Sequence, residues 1–136
     1  MASFNKFNSF SEAVTEKVHN LGSDQLVVAL TNSAPAATNT VLADITEISY
    51  TNLSSRNVTT SSSSQTSGTY KLVLADLVLT SSGGSTGPFR YVVLFNTTAT
   101  NDELIGWYDY GSSITLLAGE TLTVDFDGSA GALTLA

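Results

Sequence analysis

The chain has 136 residues, of which 42% are hydrophobic and only 12% charged, and its formal net charge is −7. Twelve acids against five bases leave no basic stripe to release counterions from phosphates, which argues against nucleic acid and against an anionic membrane surface as partners. There is no cysteine, so disulfides and thiolate metal sites are excluded, and a chain of this length is expected to fold as one domain, 1–136, with a real core.

The opening Met-Ala-Ser-Phe-Asn-Lys-Phe lacks the basic region, apolar run and cleavage site of a secretory signal, and no apolar stretch reaches the length of a membrane span. Synthesis in a cytoplasm is expected. The sequons at Asn52, Asn57 and Asn96 then read as accidents of an Asn/Ser/Thr-rich sequence. Because charged residues are about half as common as usual, Ser, Thr and Asn must cover much of the surface.

An N-terminal arm and helix are read over about residues 1–22. Ser9 or Ser11 can cap a helix, and Glu12 stands three residues after Ser9 as a capping box requires. Phe10, Ala13, Val14, Val18 and Leu21 recur at helical spacing, with Gly22 where a C-cap belongs and Lys17 and His19 near the end that favours positive charge. The pattern predicts an amphipathic helix over 10–20.

The β-body, about 24–136, opens with Gln-Leu-Val-Val-Ala-Leu-Thr-Asn (25–32), apolar enough throughout for a central strand. Residues 33–40 read as loop around Pro35. Residues 41–48 fit a helical stripe through Val41, Leu42, Ile45 and Ile48 better than a strand. Residues 52–68, with a four-serine run at 61–64, read as an exposed edge strand or mobile loop. Residues 69–80 read as one long strand, with Tyr70, Leu72 and Leu74 on one face and Val73 and Ala75 on the other. A flexible loop, Ser-Ser-Gly-Gly-Ser-Thr-Gly (81–87), follows.

From 87 to 136 short strands succeed one another almost without interruption. They read Gly-Pro-Phe-Arg-Tyr-Val-Val-Leu-Phe-Asn (87–96), Leu-Ile-Gly-Trp-Tyr-Asp-Tyr (104–110), Ser-Ile-Thr-Leu-Leu (113–117), Thr-Leu-Thr-Val-Asp-Phe (121–126) and Ala-Leu-Thr-Leu-Ala (132–136). Turns fall at 97–102, 111–112, 118–120 and 127–131. Seven or eight strands with such regular turn signals, behind one short N-terminal α-helix, predict an all-β fold: a single antiparallel β-sandwich or jelly roll.

Chemistry-bearing residues are few. His19 is the only histidine, no Gly-x-Ser-x-Gly elbow accompanies it, and it reads as a solvated residue at a helix end. The Gly-Gly-Ser-Thr-Gly run at 83–87 lacks the lysine of a phosphate loop and leads into Pro88 and a strand, where a phosphate loop needs a helix. Asp125 and Asp127 share a face if their strand continues. Calcium and glycoside chemistry are weighed there against the preferred reading, the solvent side of an amphipathic strand with Phe126 inward. Asp102-Glu103 reads as a solvated turn pair. No catalytic residue, metal or cofactor is assigned, and no enzyme is expected.

Trp-Tyr-Asp-Tyr (107–110) is the most suggestive cluster, with Trp107 and Asp109 on one face of a strand and Tyr108 and Tyr110 on the other. Such aromatics pack a core, anchor a subunit interface or stack on sugars, and core packing is the preferred reading. Phe4 and Phe7 precede the helix and suit an arm that docks on a neighbour. The candidate interface residues are therefore Phe4, Phe7, Trp107, Tyr108 and Tyr110.

The whole-chain texture resembles small virion proteins of tailed bacteriophages, of the capsid decoration (cement) type. The segments that carry it are Phe-Asn-Ser-Phe-Ser-Glu-Ala-Val, Val-His-Asn-Leu-Gly-Ser-Asp, Val-Ala-Leu-Thr-Asn-Ser-Ala-Pro, Gly-Pro-Phe-Arg-Tyr-Val-Val-Leu-Phe-Asn, Leu-Ile-Gly-Trp-Tyr-Asp-Tyr-Gly and Gly-Glu-Thr-Leu-Thr-Val-Asp-Phe. Only 52–68 departs from it. The resemblance implies a non-enzymatic structural protein on the outer capsid surface, partnered by the major capsid protein and by copies of itself as a dimer or trimer, with its acidic balance facing outward. Two other readings stay open: a carbohydrate-binding module, motivated by Trp107 and Tyr110, and a tail or fibre component.

Overall fold

The computed structural model describes residues 2–136. The elements run β1 (Phe4–Lys6), α1 (Phe10–Thr15), β2 (Leu26–Thr31), a single 3₁₀ turn (Leu42–Asp44), β3 (Asn57–Val58), β4 (Thr60–Thr66), β5 (Thr69–Leu74), β6 (Leu77–Thr80), β7 (Thr86–Asn96), β8 (Leu104–Leu116), β9 (Thr121–Val124) and β10 (Leu133–Leu135). Every strand pairing is antiparallel. A five-stranded sheet, ordered β1-β8-β7-β2-β3, packs against a second layer made of a three-stranded sheet, β10-β5-β4, and a two-stranded one, β6-β9. This is the predicted all-β sandwich, 47% strand with one short helix.

The large sheet is covered on both faces, which is why its central strands read as unbroken apolar runs. All six residues of β2 are buried. Leu26, Val28 and Leu30 face the main core with Leu72, Leu74, Leu79, Val124 and Phe126 of the other layer. Val27 and Ala29 face a second, smaller core with Phe7, Val93, Phe95 and Leu104, roofed by Leu42, Ile45 and Trp107. Each large apolar side chain buried this way stabilises the fold by roughly 1.5–3 kcal/mol.

The helix is half the predicted length. It stops at Thr15 because Lys17 takes a left-handed conformation (φ 68°), letting the Val18 N–H reach the Ala13 carbonyl (2.9 Å) and the Lys17 N–H reach that of Val14 (3.4 Å). That is a Schellman ending with Lys17, five residues before Gly22, in the left-handed position. Nor does the capping box form, since Ser9 makes no side-chain bond at the N-cap. In 41–48 only one 3₁₀ turn winds, and the apolar stripe is shared out: Leu42 and Ile45 go to the small core and Ile48 to the large one.

The long strand predicted over 69–80 is two strands in different sheets. The chain crosses at Ala75-Asp76, where the Asp76 carboxylate accepts the Phe126 N–H (3.1 Å). Conversely, the turn predicted at 111–112 is a bulge inside one thirteen-residue strand. Asp109 pairs with Tyr91 and Ile114 with Phe89, so five steps along β8 answer two along β7 and three extra residues protrude. The loop at 81–87 is tied down: Ser81 and Thr86 are buried, and their hydroxyls bond each other at 2.8 Å. Residues 52–68 contain β3 and β4. β4 is an edge strand, joined to β5 through Ser67 (φ 51°) and Gly68 (φ 86°), two positive-φ residues that make the tight turn an antiparallel hairpin needs.

Candidate functional site

The five candidate interface residues divide across the sheet. Trp107 lies on the small-core side, its ring 4.6 Å from that of Phe7. Tyr108 and Tyr110 lie on the main-core side, with Tyr108 5.3 Å from Phe4 and 5.9 Å from Phe126. Phe7 has no exposed surface and Tyr108 only 4%, so both are spent inside this chain and neither is available to a neighbour. Phe4, Trp107 and Tyr110 are half-buried. Trp107 and Tyr110 occupy opposite faces, so they do not form one platform on which a sugar ring could stack. Asp109 makes a two-bond fork with Arg90 (Nε–Oδ1 2.8 Å, Nη2–Oδ2 3.1 Å), which together with the Gly111 N–H holds its carboxyl below the usual carboxylate range.

Asp125 and Asp127 are turn-formers. β9 ends at Val124. The Asp125 carboxylate accepts the Asp127 N–H (2.8 Å), and that of Asp127 accepts the N–H groups of Ser129 (3.2 Å) and Ala130 (3.0 Å). Phe126 between them is buried, as expected. Among the described residues no group of three or more His, Asp or Glu is placed to hold a metal ion, and no helix is long and apolar enough to cross a membrane.

The most unusual chemistry lies where the sequence reading saw none. His19, expected in solvent, is 6% exposed, stacked 5.4 Å from Phe10 and hydrogen-bonded through Nδ1 to the Asn96 amide (3.0 Å). Asn96 ends β7 and is fully buried. Its Nδ2 also donates to Asp24 Oδ2 (2.6 Å), while its Oδ1 accepts the N–H groups of Thr98 (2.9 Å) and Ala99 (3.2 Å). Asp24 in turn accepts the Asn20 N–H (2.8 Å). Asn96 is therefore saturated, and as a sequon it has no amide nitrogen to offer. Glu103, expected in solvent, also turns inward. Its Oε2 and His19 Nε2 are the two buried side-chain atoms without a hydrogen-bond partner among the described residues. Burial pushes the His19 pKa down, against the opposing pull of Glu103 and Asp24.

This cluster forms one wall of an open groove of about 1370 Å³ between α1 and the β10-β5-β4 sheet. Val14, Val18 and Leu21 line one side, Tyr70, Leu133 and Leu135 the other, and Lys6 and Lys17 also border it. Leu135 is 59% exposed there.

A second network escaped the sequence reading. β3 pairs only with the first two residues of β2, and beyond it Tyr50 and Arg56 seal the edge. The Tyr50 hydroxyl accepts the Leu30 N–H (3.0 Å) and donates to Glu47 (2.7 Å), and Arg56 donates to the Val28 carbonyl (2.7 Å) while lying 3.7 Å over the Tyr50 ring. Burial and the Glu47 bond push the Tyr50 pKa well up.

The class these features define is an all-β protein, an antiparallel sandwich with one short helix. No family model, no curated protein and no solved structure matches the chain.

Proposed function

We propose that this chain is a non-enzymatic structural protein of a phage virion, an outer capsid decoration protein that braces the shell. The observation that carries the reading is mechanical: where the long strands β7 and β8 pair over Tyr91–Phe95 and Leu104–Asp109, apolar side chains pack on both faces of the sheet. A doubly packed sheet resists bending and local opening, which a brace between shell subunits needs and a flexible adaptor does not. The acidic balance, −7 overall, suits a face turned away from packaged nucleic acid. The sequence texture described above points the same way. The partners are the major capsid protein and further copies of this chain. Binding across subunit junctions stabilises the shell by mass action, because it favours only the assembled state.

The test is add-back. Purified protein mixed with undecorated shells is expected to bind to saturation and to raise their resistance to heat or pressure. Unchanged shell stability at saturation would sink the proposal. The alternative of a tail or fibre component is separated by where the protein appears in electron micrographs of the particle. The carbohydrate-binding alternative predicts glycan-array binding that is lost with Trp107→Ala.

A further inference from the structure

We propose that His19 and Asn96 form an acid-released clasp that holds the segment after α1, residues 17–24, against the strand ends and so fixes one wall of the groove. The geometry of Asn96 decides the chemistry. Its carbonyl oxygen must face the Thr98 and Ala99 N–H groups and its NH₂ must face Asp24, because the reversed amide would set oxygen against carboxylate and NH₂ against two donors. The second amide hydrogen then points at His19 Nδ1, which has to be the acceptor. The neutral ring thus carries its proton on Nε2, on the side of the ring without a partner.

Protonation puts a hydrogen on Nδ1, directly against the Asn96 NH₂. Two donors face each other, and Asn96 cannot turn without losing its other three bonds. The clasp therefore opens. The charged groups bearing on the ring are Asp24, ahead of β2, and Glu103, ahead of β8; Phe10 of α1 supplies an apolar contact, and Lys6 and Lys17 lie at the groove. The two carboxylates favour the imidazolium and burial opposes it; burial is the larger effect, so His19 titrates below its ordinary 6.5. A base whose folded pKa is depressed binds protons better when released. The clasp is at full strength above pH 6.5 and weakens as pH falls toward the folded pKa.

Because His19 is the only histidine, its imidazole signals need no assignment. ¹⁵N NMR at pH 8 is expected to show the Nε2–H tautomer, and titration a midpoint below 6.5. Hydrogen exchange, corrected for intrinsic rates, is expected to show protection over 17–24 falling by about tenfold or more between pH 7.5 and pH 5, with β7 and β8 unchanged. His19→Gln can still accept from Asn96 but does not titrate, and should keep its protection at pH 5. Glu103→Gln removes one charge that favours the imidazolium, so it should move the His19 midpoint in the folded chain to lower pH and, by widening the gap from the released value, deepen the loss of protection over 17–24 at pH 5, a test that survives if His19→Gln fails to fold. An Nδ1–H tautomer, a midpoint at or above 6.5, or identical acid opening in wild type and His19→Gln would each overturn the clasp.

Discussion

The ring of Phe4 occupies the space that a side chain at residue 106 would need. A Cβ on Gly106 would overlap that ring and stand 2.6 Å from the Asn5 carbonyl oxygen. Phe4 pairs with Tyr108 and Lys6 with Gly106 across the edge of the five-stranded sheet, so this one glycine admits the arm that closes that edge. Gly106→Ala is therefore expected to lift β1 and destabilise the chain by about 1–3 kcal/mol. Exchange protection should be lost first over residues 4–8. Phe4→Ala in the same chain should recover part of the loss, and strict additivity in the double-mutant cycle would show that ring and glycine do not meet.

Phe7 separates a core arm from a docking arm. With no exposed surface and Trp107 against its ring, Phe7→Ala should cost about 3–5 kcal/mol and red-shift the fluorescence of the single tryptophan. A residue that served only a neighbour would leave the isolated chain's denaturation midpoint unmoved.

Two substitutions locate the end of the helix. Lys17 holds φ 68° without being glycine, so Lys17→Gly is expected to stabilise by about 0.5–1 kcal/mol, a rise in melting temperature of a few degrees. Gly22 lacks a left-handed backbone, and a Cβ there would meet only Asn20 Oδ1 at 3.4 Å and Ser63 Oγ at 3.8 Å, so Gly22→Ala should be close to neutral. The reverse order of effects in thermal melts would restore Gly22 as the cap.

Tyr50→Phe removes the acceptor of the Leu30 N–H and a donor to Glu47 while keeping the ring under Arg56. The expected cost is about 1–2 kcal/mol, chiefly from a part-buried amide left without a partner. Urea unfolding should show the midpoint lowered with an unchanged slope.

The break at Ala75-Asp76 was legible in principle. Leu72 and Leu74 alternate at even positions, Leu77 and Leu79 at odd ones, and since one-residue slips exchange the faces of a strand, all four can be inward only if the chain changes course between them. The helix ends sooner than its apolar spacing predicts because Val18 and Leu21 keep helical spacing from α1 while standing half-buried in the bend and turn that follow it. Periodicity records which side chains are buried, and a turn buries them as well as a helix does.

The candidate site was less legible. His19, Asn96, Asp24 and Glu103 have no sequence relation that marks them as partners. Asn96 and His19 are 77 positions apart, and the four meet only because β2, β7 and β8 bring their ends to one corner.

By itself the sequence determined what short-range physics determines: an acidic, cysteine-free chain whose alternating and continuous apolar runs commit it to antiparallel strands, with a helical turn ahead of them. Tertiary structure alone decided which faces those runs present, that Phe7 and Tyr108 are consumed inside, and that a lone histidine is buried against an asparagine. Apolar patterning is a local property of neighbouring residues. Burial of a polar group is settled by partners that arrive from distant parts of the chain, and no window of sequence contains them.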